Sequence, residues 1–198
     1  MAEPGGGTAL IQTSLYEGKT IQLTAVDLEQ DLKIESGWTY NLDYARHYRE
    51  TPLRPIAVHE LKKYYEKLFK DSLEGRRHFH FAVRMKADHR LVGFVRLSVM
   101  EWSHGVGRID VATGDTGMRK EVEPEALQLA LVYAFDELNL HRVAVSLPEY
   151  DHLGVEILEQ AGFQLEVRRK ECFYRTEHYW DWLQYGMLRS EWQSGGQL

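Results

Sequence analysis

Apolar positions are densest between residues 107 and 163, and the elements that this stretch predicts organise the rest of the chain. Residues 108–113 alternate as a strand and lead into a polar turn. From Glu125 to Leu138, the residues Ala126, Leu127, Leu129, Ala130, Val132, Tyr133, Ala134, Phe135 and Leu138 cover more than one helical face. A helix apolar over so much of its girth is expected to lie buried against a sheet. Pro124 suits a first helical turn, where its missing N–H is no loss. Glu123 and Glu125 complement the positive end of the helix dipole. Val143 to Leu147 reads as the next strand, and a second helix closes on the pair Gly162-Phe163.

The remaining pattern fits around this unit. Lys19 to Val26 alternates as a first strand, and Asp27 is expected to cap a helix through Leu28, Leu32 and Ile34 that ends near Gly37. Trp38 to Arg54 is aromatic and irregular, and reads either as the wall of a cleft or as cover for the core edge. Val58 to Phe69 is amphipathic, with Leu61, Tyr64, Tyr65, Leu68 and Phe69 on one side. His78 to Met85, Leu91 to Met100 and Arg108 to Thr113 follow one another across short turns, an antiparallel meander. Phe163 to Tyr174 is a further strand, and the tail from Glu177 to Trp192 is too apolar for a loose end. This order of elements indicates one α+β domain over residues 18–192 with a mixed, mostly antiparallel sheet, a flexible arm at 1–17 and a flexible tail at 193–198.

Composition narrows the class. With 43% hydrophobic and 27% charged residues, the 198-residue chain is expected to be soluble and globular. No apolar run approaches the ~20 residues that cross a bilayer, and the N-terminus lacks a signal pattern, so a cytoplasmic protein without a membrane partner is expected. The net charge of −6 argues against a nucleic-acid partner. The single cysteine, Cys172, excludes an internal disulfide. His78 and His80 share a strand face, but no carboxylate or cysteine completes a metal set.

Five pieces carry a resemblance: LVGFVRL, the turn and strand EWSHGVGRIDVATGD, the helix EALQLALVYAFDELNLHRV, the pair EILEQAGF and the closing YGMLRSEW. In order and spacing the chain resembles the GNAT-family N-acetyltransferases, RimJ/RimL-type branch, over nearly its whole length. The resemblance implies the GNAT fold, acetyl-CoA as co-substrate, and direct attack by a primary amine, either a peptide N-terminus or a small molecule. It also implies a homodimer, supported here by the apolar, Trp-rich tail. Backbone donors at Val111 and Ala112 would stabilise the oxyanion. The pyrophosphate would rest on the turn Met118, Arg119, Lys120, Glu121, Val122 and Glu123, with Asp151 where relatives carry asparagine. Candidate proton-transfer residues are Glu101, Asp110 and Ser98, and Trp38, Tyr40, Tyr44 and Trp102 would line the acceptor cleft.

The turn departs from the family in one respect that bears on chemistry. The resemblance implies a glycine-bearing turn here, one residue longer. In either register of the alignment side chains replace those glycines, Glu121 and Glu123 bring negative charge to the place of the pyrophosphate, and no glycine occurs from Met118 to Leu153. At an effective dielectric of ~20, two like charges ~4 Å apart repel by about 4 kcal/mol, enough to undo a micromolar complex with a pyrophosphate. Leu158 stands where relatives often carry a tyrosine acid. Two functions therefore follow. One is acetyl transfer; the other is a GNAT-like domain that has lost its cofactor grip and serves binding or assembly. An open notch between Arg119 and Glu123 would favour the first, and a salt-bridged notch the second.

Overall fold

In the computed structural model, which describes residues 15–48, 54–75 and 77–194, the period-2 segments become neighbours in one seven-stranded sheet. Strands β1 (Ile21–Thr24), β2 (His78–Met85), β3 (Leu91–Glu101) and β4 (Val106–Thr113) pair antiparallel in sequence order. β5 (Arg142–Pro148) joins β4 in parallel, through a helical crossover. β7 (His178–Leu188) lies between β5 and β6 (Gln164–Arg175), antiparallel to both. The apolar tail is therefore an inner strand, with Leu183, Tyr185 and Met187 in the core.

Among the described residues six α-helices clothe the sheet: α1 (Asp31–Trp38), α2 (Leu42–Tyr48), α3 (Val58–Gly75), α4 (Arg119–Val132), α5 (His152–Gln160) and α6 (Arg189–Ser194). Alternate residues of the strands face opposite layers. Val95, Leu97, Val99 and Ile109 pack against α4 and α5. Phe94, Ala82 and Ala112 face the layer that holds Trp38 and Tyr44. No described helix is long and apolar enough to cross a membrane.

Helix α4 begins six residues before the expected Glu125. Asp115 accepts the Gly117 N–H at 3.0 Å and caps a 3₁₀ turn over Thr116–Met118, which runs straight into Arg119. Pro124 consequently lies inside the helix and not in its first turn, so the Lys120 carbonyl loses its usual i+4 donor. After Val132 the winding loosens to a π-turn over Tyr133–Glu137.

The first helix also differs from expectation. Asp27 accepts the N–H groups of Glu29 and Gln30, which makes a turn ahead of α1. The inward face of α1 is Asp31, Leu32 and Glu35, whereas Ile34 is 42% exposed. Buried polar groups persist where they are partnered. Both Asp31 oxygens accept from Arg84 on β2 at 2.7 Å, and Glu35 accepts from the Tyr65 hydroxyl at 2.8 Å and from Tyr44 at 3.4 Å.

The described chain starts within the fold. The Leu23 N–H donates to the Tyr16 carbonyl at 2.7 Å, and the Tyr16 ring lies 5.9 Å from Phe81 and 6.1 Å from Tyr133. Residues 15–17 thus belong to the domain; positions 1–14 of the expected arm, and 195–198 of the tail, fall outside the described residues. Burial, aided by Tyr16 and Glu137, pushes the Tyr133 hydroxyl up to about 12 from 10.0. A raised folded-state pKa gives stability that is complete below the unfolded value of 10.0 and is lost as pH rises through about 12. Denaturant titrations should show roughly 2 kcal/mol lost across that window, and Tyr133→Phe should flatten the profile. Equal slopes for both proteins would refute the assignment.

Candidate active-site cleft

β4 and β5 are ladder partners only at Val106/Arg142, Gly107/Val143 and Arg108/Ala144. Beyond Arg108 and Ala144 both strands continue but are no longer ladder partners. The gap is a cleft of about 70 Å³ with apolar walls: Ile109 and Val111 from β4, Val145 and Leu147 from β5, Leu127 from α4 and Leu158 from α5. Among the described residues, no strand pairs with the β5-facing edge of β4 from Ile109 to Thr113.

One end of the cleft is closed by the tips of α4 and α5. Arg119 donates from Nε and Nη2 to the two oxygens of Glu123, at 2.8 and 3.0 Å. The same guanidinium donates from Nη1 and Nη2 to the two oxygens of Asp151, at 3.0 and 2.9 Å. Bidentate pairs of this kind are the strongest that side chains make. The three side chains are only 12%, 9% and 7% exposed, in the order Arg119, Glu123, Asp151. Burial opposes the charge on Arg119, but its hydrogen bonds to Glu123 and Asp151 outweigh that and hold its pKa above the ordinary arginine value. Asp151 also caps α5, accepting the Gly154 N–H at 3.1 Å. A Cβ at Gly154 would fall 2.5 Å from an Asp151 oxygen, so this approach requires glycine.

One guanidinium between two carboxylates leaves these three side chains at about −1, and Asp151 meets the positive end of α5. The Arg119 N–H is spent on the Thr116 carbonyl. A pyrophosphate placed here would meet two carboxylates in place of backbone donors, and the residues present do not fit that group. The notch is of the salt-bridged kind.

The other candidates are dispersed. Val111 lines the cleft; Ala112 faces the opposite layer, and Val122 is core. Lys120 and Glu121 are exposed, and Met118 touches Arg90 through its sulfur at 3.6 Å. Asp110 lines the cleft, with Oδ2 on Arg96 Nε and Oδ1 on Arg108 Nε, each at 3.1 Å. Ser98 lies on the same face and is 3.1 Å from His78 Nδ1. Burial, then the Arg96 charge, lowers the His78 pKa. Glu101 is exposed at the far end of β3, and its bonds from Ser103 keep its carboxyl below the usual range.

The four aromatic residues do not form one wall. Tyr44 is core and Tyr40 is 72% exposed. Trp38 abuts Gly114, just past one end of β4, whereas Trp102 stands in the turn before its other end, roughly 23 Å away for eight extended residues. Arg96 and Arg108 escaped the sequence reading, although the alternation placed them on the face of Asp110 and Ser98; the cross-strand pairs are Arg96/Asp110 and Ser98/Arg108.

Comparison with known proteins agrees with this geometry. The family model described as acetyltransferase (GNAT) domain matches residues 22–164. Over 161 residues the chain is 27% identical to a probable N-acetyltransferase, YjcK, of Bacillus subtilis, covering 79% of this chain and 87% of that protein. Over 171 residues it is 26% identical to spermidine N(1)-acetyltransferase of Vibrio cholerae, covering 86% and 95%. The crystal structure of spermidine N-acetyltransferase from Vibrio cholerae in complex with CoA and spermine superposes with a TM-score of 0.75 at 21% identity, over 89% of this chain and 99% of that one. A GNAT-family acetyltransferase from Bacillus anthracis gives 0.72 at 19% identity, over 89% and 99%. At these identities the structural matches establish the fold.

Proposed function

Because the chain belongs to the GNAT acetyltransferase family, we propose that it moves an acyl group from a thioester to a small primary amine by direct attack, as a member of the RimJ/RimL-type branch. The end of the β4–β5 ladder after Arg108 carries this reading. It leaves an edge of backbone groups, at Val111 and its neighbours, facing a cleft with apolar walls. N–H groups on such an edge stabilise a thioester carbonyl as it becomes an oxyanion. Asp110, clamped by Arg96 and Arg108, positions the amine. The amine proton passes by way of the Ser98 hydroxyl to the neutral His78 ring, and the departing thiolate takes up a proton in turn. A small amine acceptor is favoured because a relative matched over most of its length is a spermidine acetyltransferase.

The test is thiol release by the full chain from acetyl-CoA and from S-acetyl-pantetheine, with spermidine and other primary amines as acceptors. Asp110→Asn should raise KM for the amine about tenfold while kcat changes less than about threefold. Thiol release from neither donor would end the reading.

A second reading has its own support. Arg119 ties Glu123 to Asp151 across the notch, which favours a GNAT-fold module for binding or assembly. Exposed Leu165 and Val167 on β6, with Tyr174 and Tyr179 beside the β6–β7 turn, would then carry a homodimer contact. Binding of neither thioester, together with self-association, is the result that selects it.

A further inference from the structure

We infer that the nucleotide half of coenzyme A contributes nothing to donor binding, and that the cleft takes its acyl donor by an uncharged pantetheine arm alone. This rests on the acyl-transfer reading above and specifies its donor. Two parts of the same cleft point in different directions. The walls between β4 and β5 are apolar, and the β4 edge beside them has backbone groups without a strand partner, which suits a neutral amide-bearing chain. The end at which a pyrophosphate would leave that chain is sealed by Arg119, Glu123 and Asp151, all nine-tenths buried or nearly so.

The seal is a built feature. Both carboxylates are gripped through both oxygens by one guanidinium, and Asp151 simultaneously caps α5. Inserting a doubly charged pyrophosphate would require breaking those four hydrogen bonds and stacking negative charge against two carboxylates already there. The two helix tips that would attract the phosphates are already met by carboxylates, Asp151 at the start of α5 and Asp115 at the 3₁₀ turn that leads into α4. A donor that ends before its first phosphate meets none of this.

The reaction balances with such a donor. The C–S bond of the acyl thioester breaks as the amine nitrogen bonds to the carbonyl carbon, and the departing thiolate takes up the proton that the amine sheds. The products are an amide and a neutral thiol, and no other reactant is consumed.

The experiment compares acetyl-CoA with S-acetyl-pantetheine as donors to one amine, and titrates each thioester and adenosine 3′-phosphate 5′-diphosphate into the full chain by calorimetry. We expect the two kcat/KM values to agree within about threefold, and the nucleotide to give no heat at about 1 mM. A triple variant, Arg119→Gly with Glu121→Gly and Glu123→Ala, opens the seal; it should raise the preference for acetyl-CoA at least about tenfold. If that variant does not fold, by circular dichroism, the wild-type comparison decides. Acetyl-CoA favoured by more than about tenfold, or nucleotide binding at micromolar concentration, overturns the inference and leaves acyl transfer standing. Binding and turnover of neither thioester removes acyl transfer, and this inference with it.

Discussion

Arg119→Ala should destabilise the protein by about 3–5 kcal/mol, the usual consequence of removing one partner from a buried ionic cluster. Glu123 and Asp151 would then lose the cation they share, at 9% and 7% exposure. The cost should depend on acidity in a way the wild type does not share. Two carboxylates left together acquire one raised pKa. A group whose folded-state value is raised gives stability that is present at low pH and lost as pH rises through that value. The deficit of the variant should therefore shrink as pH falls from about 7 to about 4, and adding Glu123→Gln should recover roughly half of it at neutral pH. Urea unfolding of the three proteins at a series of pH values reads all of this. A loss below about 1 kcal/mol would mean that the cluster is solvated and the cleft not sealed.

Phe135→Ala should cost about 3–5 kcal/mol for a different reason: no charge changes, and a cavity forms. Phe135 is fully buried in the main core, in the loosened turn after α4, with its ring 5.3 Å from Trp192 of α6. It joins the end of the crossover helix to the element that follows the last strand. Phe135→Leu, which refills most of the volume, should restore the greater part, as the midpoint of chemical denaturation would show. A small loss for the alanine variant would put this helix face nearer to solvent than the structure has it.

The parts of the fold legible in sequence were those that a local period reports. Period-2 alternation located β2 and β3 almost to the residue and β4 all but its first two residues, and the girth of apolar positions after Glu125 announced a buried crossover helix. Pro124 misplaced the start of that helix, because a proline at N1 and a proline a turn and a half in look alike unless the Asp115 cap is recognised as the true beginning. The inward face of α1 was invisible for a related reason. Asp31 and Glu35 resemble a solvated face, and the partners that justify their burial, Arg84 and Tyr65, lie 53 and 30 positions away. The site followed the same division. The Arg119–Glu123 pair sits at i,i+4 and could be read from spacing, whereas Asp151 enters through 32 residues of chain that only the fold brings back. Trp38 and Trp102 failed as a common wall because proximity in an aromatic list says nothing about which end of a strand each occupies.

The insertion of β7 between β5 and β6 has a consequence for biosynthesis. β6 leaves the ribosome before β7, yet among the described strands its only neighbour in the sheet is β7. During translation the twelve residues of β6 must wait unpaired while β5 shows a bare edge, and this side of the sheet assembles only once β7 is made. Nascent chains stalled before His178 would therefore hold a half-built domain.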